Sequence, residues 1–341
     1  VALDEAGREV GRRRVPNSAV GWGEVLAWAM TLGAAARRWG IEGAWGYGRG
    51  LAQHLVAAGE AVYEVSPRWT AAARKSARRP GKSDALDALA VARLVLQDAG
   101  TLPPVGAEDE TAVLDLLTTE REAALAEATR LRNQGHHLLL QLDPEYEARL
   151  PALRTAAGLA ALEGYTAPKP RPLDQERAAA VRRLAQRLRL AVDQAEALAV
   201  QIRARAQVGF VALTRLCGVS LLTAGALAGL LGPGRRFATD AQLAAYAGVA
   251  PLEASSAGRV RHRLNRGGNR RLNTILYRIA ITQAGASPQA KAYLARRAAE
   301  GKSRREALRA LKRHLVRAVW RLWQECRPAP AVAPLDALAA A

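Results

Sequence analysis

WGIEGAWGYGRGLAQHLVAAGEAVYEV, residues 39–65, decides the fold class. It opens on a short apolar strand around Gly40–Gly43 and crosses a turn rich in glycine and aromatics. Helical apolar spacing follows over roughly 49–59, and AVYEV (61–65) closes the stretch as a buried strand. Upstream, residues 1–16 read as a hairpin: VAL, a DEAG turn, then REVGRRRVP. Residues 20–38 carry helical spacing. Downstream, a basic loop (66–82) leads to a helix from about Asp84 to Asp98. Strands first, then alternating helices and strands, indicate a mixed α/β sheet of about 100 residues.

Beyond the linker TLPPVG (101–106) the pattern changes. From Asp109 to about Leu142, and from about Leu173 to Ala206, the chain is Arg/Glu-rich and heptad-like, with TAPKPRPLD (166–174) between. Two long helices joined this way predict an antiparallel coiled-coil hairpin, a plain helical bundle being the alternative. From Val208 two apolar stretches hinge at Cys217-Gly218-Val219-Ser220. That is the outline of a helix-hairpin-helix element, whose amides hold a DNA phosphate, or of a packed helical turn. LKRHLVRAVWRLW (311–323) is a basic helix whose Trp320 and Trp323 share an apolar, core-type face, and RPAPAVAPLDALAAA ends the chain as a disordered tail. The expected divisions are 1–103, 104–207, 208–327 and a tail at 328–341.

Lys and Arg number 50 against 31 Asp and Glu over 341 residues, a formal charge of +19. An excess of that size points to a polyanionic partner, most simply nucleic acid. Two distant cysteines make neither a disulfide framework nor a zinc site. No apolar run is long enough to span a membrane and no signal peptide is evident, so an intracellular protein is expected.

Two constellations carry chemistry. In KSDALDALA (82–90), Asp84 and Asp87 are three apart and project from one helix side, behind Arg74, Lys75, Arg78, Arg79 and Lys82. Acids in a first turn also suit the helix dipole, so simple capping is the competing reading. Glu42, at the end of an otherwise apolar strand, is a third carboxylate that is costly to bury unless paired or bound to a cation. Carboxylates gathered from separate elements are how Mg²⁺ sites for phosphoryl transfer are built, and the basic run would hold the backbone. The second constellation is GVAPLEASSAGRVRHRLNRGGNRRLN (248–273). Ser255 and Ser256 precede Arg259, Arg261, Arg263, Arg266, Arg270 and Arg271, with no acid among them. Arginine forks match phosphate oxygens, and cations on the same phosphate would assist a weak serine nucleophile. The competing reading is a basic loop that binds backbone and does no chemistry.

Taken in order, these residues resemble the DEDD transposases of the insertion-sequence one-hundred-and-ten family, also known as bridge-RNA-guided recombinases. EGAWGYG resembles the family's Glu motif and GKSDALDALAVARL its paired-Asp motif. CGVSLLTAGALAGLLG and the AYAGVAP…SS…RGGNRRLN block resemble its C-terminal transposase domain. The resemblance implies an α/β RNase H-like (RuvC-like) domain, a coiled coil, and a mostly α-helical transposase domain. It also implies Mg²⁺ on Glu42, Asp84 and Asp87, attack by Ser256 with Ser255 as the alternative, and a structured guide RNA pairing with donor and target DNA. Active sites composed between subunits of a dimer or tetramer are implied too, in a prokaryotic cytoplasm at the nucleoid. The family's first Asp lies on an opening strand ahead of VAL, so the expectation is an N-terminally truncated domain in which Asp4 belongs to the turn. A junction-resolving nuclease and a catalytically inactive nucleic-acid-binding fragment are the alternative functions.

Overall fold

A computed structural model describes residues 1–67, 70, 83–169, 171–233, 236–253, 262–263, 265 and 267–326. They form two compact units. One joins Val1–Glu110 to Leu231–Arg321; the other runs from Thr111 to Leu230 and includes a short stretch from Leu322.

The first unit opens with an antiparallel pair, β1 (Ala2–Leu3) and β2 (Glu9–Gly11), around a turn in which the Asp4 carboxylate accepts from Arg8 N at 2.8 Å. Helix α1 (Ala19–Thr31) follows, capped by the Ser18 hydroxyl. Then β3 (Arg38–Glu42), α2 (Arg49–Ala57) and β4 (Ala61–Val65) make a parallel crossover, in register from Arg38↔Ala61 to Glu42↔Val65. Ile41, Ala52, Leu55 and Val62 form its core. Helix α3 (Asp84–Asp98) lies over β3, with Val91 and Val95 so close to Gly40 that any side chain there would collide with them. The chain then returns beside β4: Glu64 N donates to Pro103 O at 2.9 Å and Val105 N to Val62 O at 2.8 Å. One mixed sheet was the expectation. Among the described residues β1–β2 and β3–β4 are instead separate two-stranded sheets. One face of β3 is covered by α3, and the outer edge of β4 is taken by residues 103–105, which leaves little for further pairing.

The second unit is built on two long helices, α4 (Glu110–Leu142) and α7 (Pro172–Gly209). They run antiparallel: Gln194 donates to Glu120 Oε1 at 2.9 Å, Arg187 lies 3.6 Å from Glu127, and Gly135 faces Leu184. Val181, Leu184, Leu188, Ala191, Ala195, Leu198 and Ile202 recur at threes and fours on α7 and are buried. Helices α5 (Tyr146–Arg149) and α6 (Ala156–Glu163) close the far end, adding Tyr146, Leu159 and Leu162 to the core of Leu131, Leu139 and Leu188. A 3₁₀ turn (Val211–Arg215) and Gly218, at φ +87°, lead into α8 (Leu221–Leu231), whose Thr223 N–H is capped by Ser220. Gly225 and Gly229 let α8 approach α4 closely at Leu114 and Asp115.

Returning to the first unit, the chain forms α9 (Asp240–Tyr246) and a short antiparallel pair, β5 (Leu252–Glu253) and β6 (His262–Arg263). Helices α10 (Arg270–Ala286), α11 (Pro288–Ala299) and α12 (Arg304–Glu325) complete it. Leu243, Leu272, Leu276, Ile279 and Leu315 are buried. Asp240 holds Arg313 at 2.7 Å and Arg317 at 3.3 Å, and Trp320 Nε1 donates to Phe237 O at 3.1 Å. Trp323 is buried and stacks on Phe210 at 5.6 Å, whereas Trp320 is only half-buried, so one of the two expected tryptophans is core. Among the described residues no helix is long and apolar enough to cross a membrane.

Candidate functional site

The carboxylates come from a strand end and a helix start. Glu42 is the last residue of β3, half-buried, and Gly43 turns the chain at φ +66°. The amides of Gly46 and Gly48 both return to the Gly43 carbonyl, so the glycines of EGAWGYG build a tight turn into α2. Glu42 Oε1 accepts a 2.6 Å hydrogen bond from the hydroxyl of Thr70, which is wholly buried. Nothing in the sequence singled out Thr70.

Asp84 and Asp87 occupy the first turn of α3, which Ser83 caps through Leu86 N. The cap is therefore supplied by Ser83, and the two acids add dipole complementarity. Asp87 lies about one turn, and Asp84 about two, before Val91, on the stripe that rests on β3. The Asp84 side chain is 98 % exposed, and the Arg14 guanidinium is 3.8 Å away. An all-oxygen donor set suits a hard divalent ion. Its placement is another matter: among the described residues no group of three or more His, Cys, Asp or Glu is gathered to hold a metal. The structure thus does not assemble Glu42, Asp84 and Asp87 into one site. Arg74, Lys75, Arg78, Arg79 and Lys82 lie outside the described residues.

The second constellation is seen through its base. Ser255, Ser256, Arg259, Arg261 and Arg266 lie outside the described residues, while Arg263 belongs to β6. On either side of that stretch the chain is clamped three ways. β5 pairs with β6, Leu252 opposite Arg263 and Glu253 opposite His262. Gly248, at φ +66°, meets Gly268 backbone to backbone; a Cβ on Gly268 would overlap Gly248 N and Cα. Asn269 then ties three groups together. Its backbone N–H reaches Tyr246 O at 2.7 Å, its side-chain amide reaches the Tyr246 hydroxyl at 2.9 Å, and its side-chain oxygen caps α10 at Leu272 N.

One turn on, Asn273 Nδ2 donates to Ala247 O at 2.8 Å, and its oxygen accepts from Lys312 Nζ at 2.8 Å. Burial, and secondarily the Arg309 charge, hold the Lys312 ammonium below its ordinary pKa. The glycines and asparagines of RGGNRRLN therefore do the clamping. Arg270, exposed at the start of α10, remains available to a phosphate, and Arg271 is half-buried beside it. Sequence reasoning singled out the serines and arginines of this stretch and missed the clamping by Gly248, Gly268, Asn269, Asn273 and Lys312. An asparagine directly before the helical run RRLN, in the N-cap position, was the signal that could have found Asn269.

Comparison with known proteins agrees with this layout. A transposase family model, DEDD_Tnp_IS110, matches residues 1–144, the stretch that includes Glu42, Asp84 and Asp87. A second, described as the transposase IS116/IS110/IS902 family, matches residues 211–295, from the 3₁₀ turn through the clamped loop to α11. The chain is also 31 % identical, over 278 residues and 69 % of each chain, to the "Insertion element IS110 uncharacterized 43.6 kDa protein" of Streptomyces coelicolor. With both family regions present in order around the carboxylates and the clamped loop, this chain belongs to the IS110 family of insertion-sequence transposases.

Proposed function

We propose that this transposase is an RNA-guided DNA recombinase that breaks and joins strands through a serine. The serine Oγ, Ser256 or its neighbour Ser255, bonds to a DNA phosphorus as the bond to one deoxyribose oxygen breaks. The serine gives up its proton and the departing oxygen gains one. A deoxyribose hydroxyl of another strand then displaces the serine, so the bond energy is conserved and no nucleotide is consumed. Mg²⁺, when bound by Glu42, Asp84 and Asp87, would neutralise charge developing on the phosphate. Since these carboxylates are not one group in the structure, the reading requires the first turn of α3 to close on Glu42. Glu42 exchanges its Thr70 hydrogen bond in doing so.

Arg259, Arg261, Arg263, Arg266, Arg270 and Arg271 contact phosphates near the serine in this reading. Arg74, Lys75, Arg78, Arg79 and Lys82 contact donor or target DNA, or the structured guide RNA, beside the acids. The α4–α7 hairpin is the coiled coil of a homo-oligomer whose active sites are shared between copies. The setting is the prokaryotic cytoplasm, at the nucleoid.

One observation supports this reading above the others: the stretch carrying both serines leaves and re-enters a base locked by Gly248–Gly268, Asn269 and Asn273. Preorganisation of that kind is what a positioned nucleophile needs, and a loop that only binds backbone does not. The test uses labelled junction DNA, guide RNA and Mg²⁺ with the protein expressed from its complete reading frame. The label is expected to become covalently attached to the peptide carrying Ser255 and Ser256, and Ser256→Ala, or Ser255→Ala if that is the nucleophile, to abolish both attachment and strand breakage. Breakage that persists in both variants with no attached label would make the enzyme a metal-dependent nuclease instead.

A further inference from the structure

Helix α12 carries arginine at 305, 309, 313, 317 and 321, in succession at four-residue spacing. Between Glu306 and Glu325 it holds no acid. Both of those end acids are engaged: Glu306 accepts from the Ser303 amide and hydroxyl, and Glu325 pairs with Arg215. Arg305, Arg309, Arg317 and Arg321 are exposed and Arg313 is half-buried, while Leu308, Leu311, Leu315 and Val319 on the other side are buried. Four residues make slightly more than one turn, so the arginines form a stripe that winds slowly along about 24 Å of helix.

Helix α11 extends this surface. The Arg296 guanidinium lies 5.3 Å from the ring centre of Tyr293, which meets the His314 ring edge-on at 5.1 Å. Burial first, then the charges of Arg317, Arg313, Arg296 and Arg297, hold His314 below its ordinary pKa, so guanidiniums of both helices crowd this imidazole. Asp240 is shared by Arg313 and Arg317, and Glu300 by Arg296 and Arg297, which leaves the cations in excess. Like charges at four-residue spacing destabilise a helix, and the stripe repeats that spacing throughout. A face that needed only solvation would mix signs, as α7 does where Arg183 pairs with Glu176 and Arg203 with Glu196. Dense cation without interleaved acid is what a polyanion neutralises.

We propose that the arginine stripe of α12 is a docking surface for the phosphate backbone of duplex DNA, which it holds without reading sequence. The apolar side of the helix is already in the core, so it has no face to insert into a lipid surface. Guanidinium groups only donate, and they match a backbone that only accepts. The DNA backbone is of that kind, whereas RNA adds 2′-hydroxyls that donate as well. The stripe lies beyond both regions matched by the family models, and it is separate in sequence from the arginines that follow Ser256. The inference does not need the serine reading, since it concerns binding before any strand breaks.

The test is the triple variant Arg305→Gln, Arg309→Gln and Arg321→Gln in the full protein, without Mg²⁺ or RNA. Binding to two DNA duplexes of unrelated sequence, and to an RNA duplex, is titrated over a range of salt concentrations. None of the three arginines is bound to Asp240, and removing their repulsion should leave the melting temperature unchanged or higher. Each lost phosphate contact should make the plot of log affinity against log salt shallower by about 0.9. The triple variant is therefore expected to lose about 2 to 3 from that slope and about tenfold or more in affinity, equally on both DNA duplexes. The control is Arg183→Gln, Arg187→Gln and Arg203→Gln on α7, which removes the same charge elsewhere and should keep the wild-type slope. Arg309→Gln alone, with its slope shallower by about 0.9, carries the test if the triple variant does not fold.

A wild-type slope in the folded stripe variant overturns the proposal. So does an equal loss in the α7 control, which would make net charge rather than this face the determinant. A loss confined to one DNA sequence would make the arginines base readers, and a larger loss on the RNA duplex would assign the face to RNA; either outcome overturns it. Because no strand is broken in the measurement, failure of the serine reading would leave these results unchanged.

Discussion

The two halves of the candidate site are built in opposite ways. At the serine end, the backbone is locked by glycines in contact, a capping asparagine that grips Tyr246, and a buried lysine on Asn273. At the carboxylate end, Glu42 is held by one hydroxyl, while Asp84 stands almost fully in solvent. The contrast fits what each end would hold in the proposed reaction. Neutral backbone and amide groups lose nothing by being fixed in advance. Three carboxylates held together without a cation repel one another, so an open arrangement is the lower-energy one until charge arrives. The flanks of residues 254–261 are therefore locked, while the carboxylates stand apart.

Gly268→Ala is the harshest way to break this contrast. The new Cβ meets the Gly248 backbone, which cannot rotate out of the way as a side chain would. A loss on the order of 3 kcal/mol is expected, read as a shifted urea midpoint, with strand transfer abolished. A variant of wild-type stability would mean the clamp is loose.

Asp240→Asn tests the surroundings of the clamp more gently. The hydrogen bond from Arg313, opposed in part by desolvation and helped by Arg317, holds the Asp240 carboxyl below the ordinary carboxylate range. Because the folded pKa lies below the unfolded one, the contribution is fully present above about pH 4 and disappears as pH falls through the lower folded value. The variant should therefore melt a few degrees lower near neutral pH and match the wild type in strong acid. An equal difference at both pH values would assign the effect to packing instead of charge.

Asp84→Asn sharpens the contrast from the other end. An almost fully exposed acid with the Arg14 guanidinium 3.8 Å away contributes little, so stability should stay within about 0.5 kcal/mol of wild type. Strand breakage, in contrast, should be lost and not restored by raised Mg²⁺. Retained breakage would remove Asp84 from the chemistry and leave it as a helix-start residue.

Much of the secondary structure was legible from local pattern. AVYEV forms the strand Ala61–Val65, the paired-Asp helix spans Asp84–Asp98, and the two heptad-like stretches become Glu110–Leu142 and Pro172–Gly209. Each is encoded by apolar periodicity and end signals within a few residues. The site was legible only as residue types. That Glu42 would bond to Thr70, or that RGGN would serve as a clamp, depends on residues from other elements arriving beside them. The small separate sheets were missed for the same reason, since what covers a strand's face or edge is not written in the strand.

The sequence by itself determined the element types, the basic charge and the order of the motifs, because each of these is a property of neighbouring residues or of a sum over all of them. Only the tertiary structure decided that residues 231–321 share a compact unit with 1–110, that Gly248 and Gly268 touch, and that Arg236 finds Glu64 across 172 residues of chain. Such pairings follow from which preformed faces can be buried together, and that is settled by packing over the whole unit rather than by any local preference.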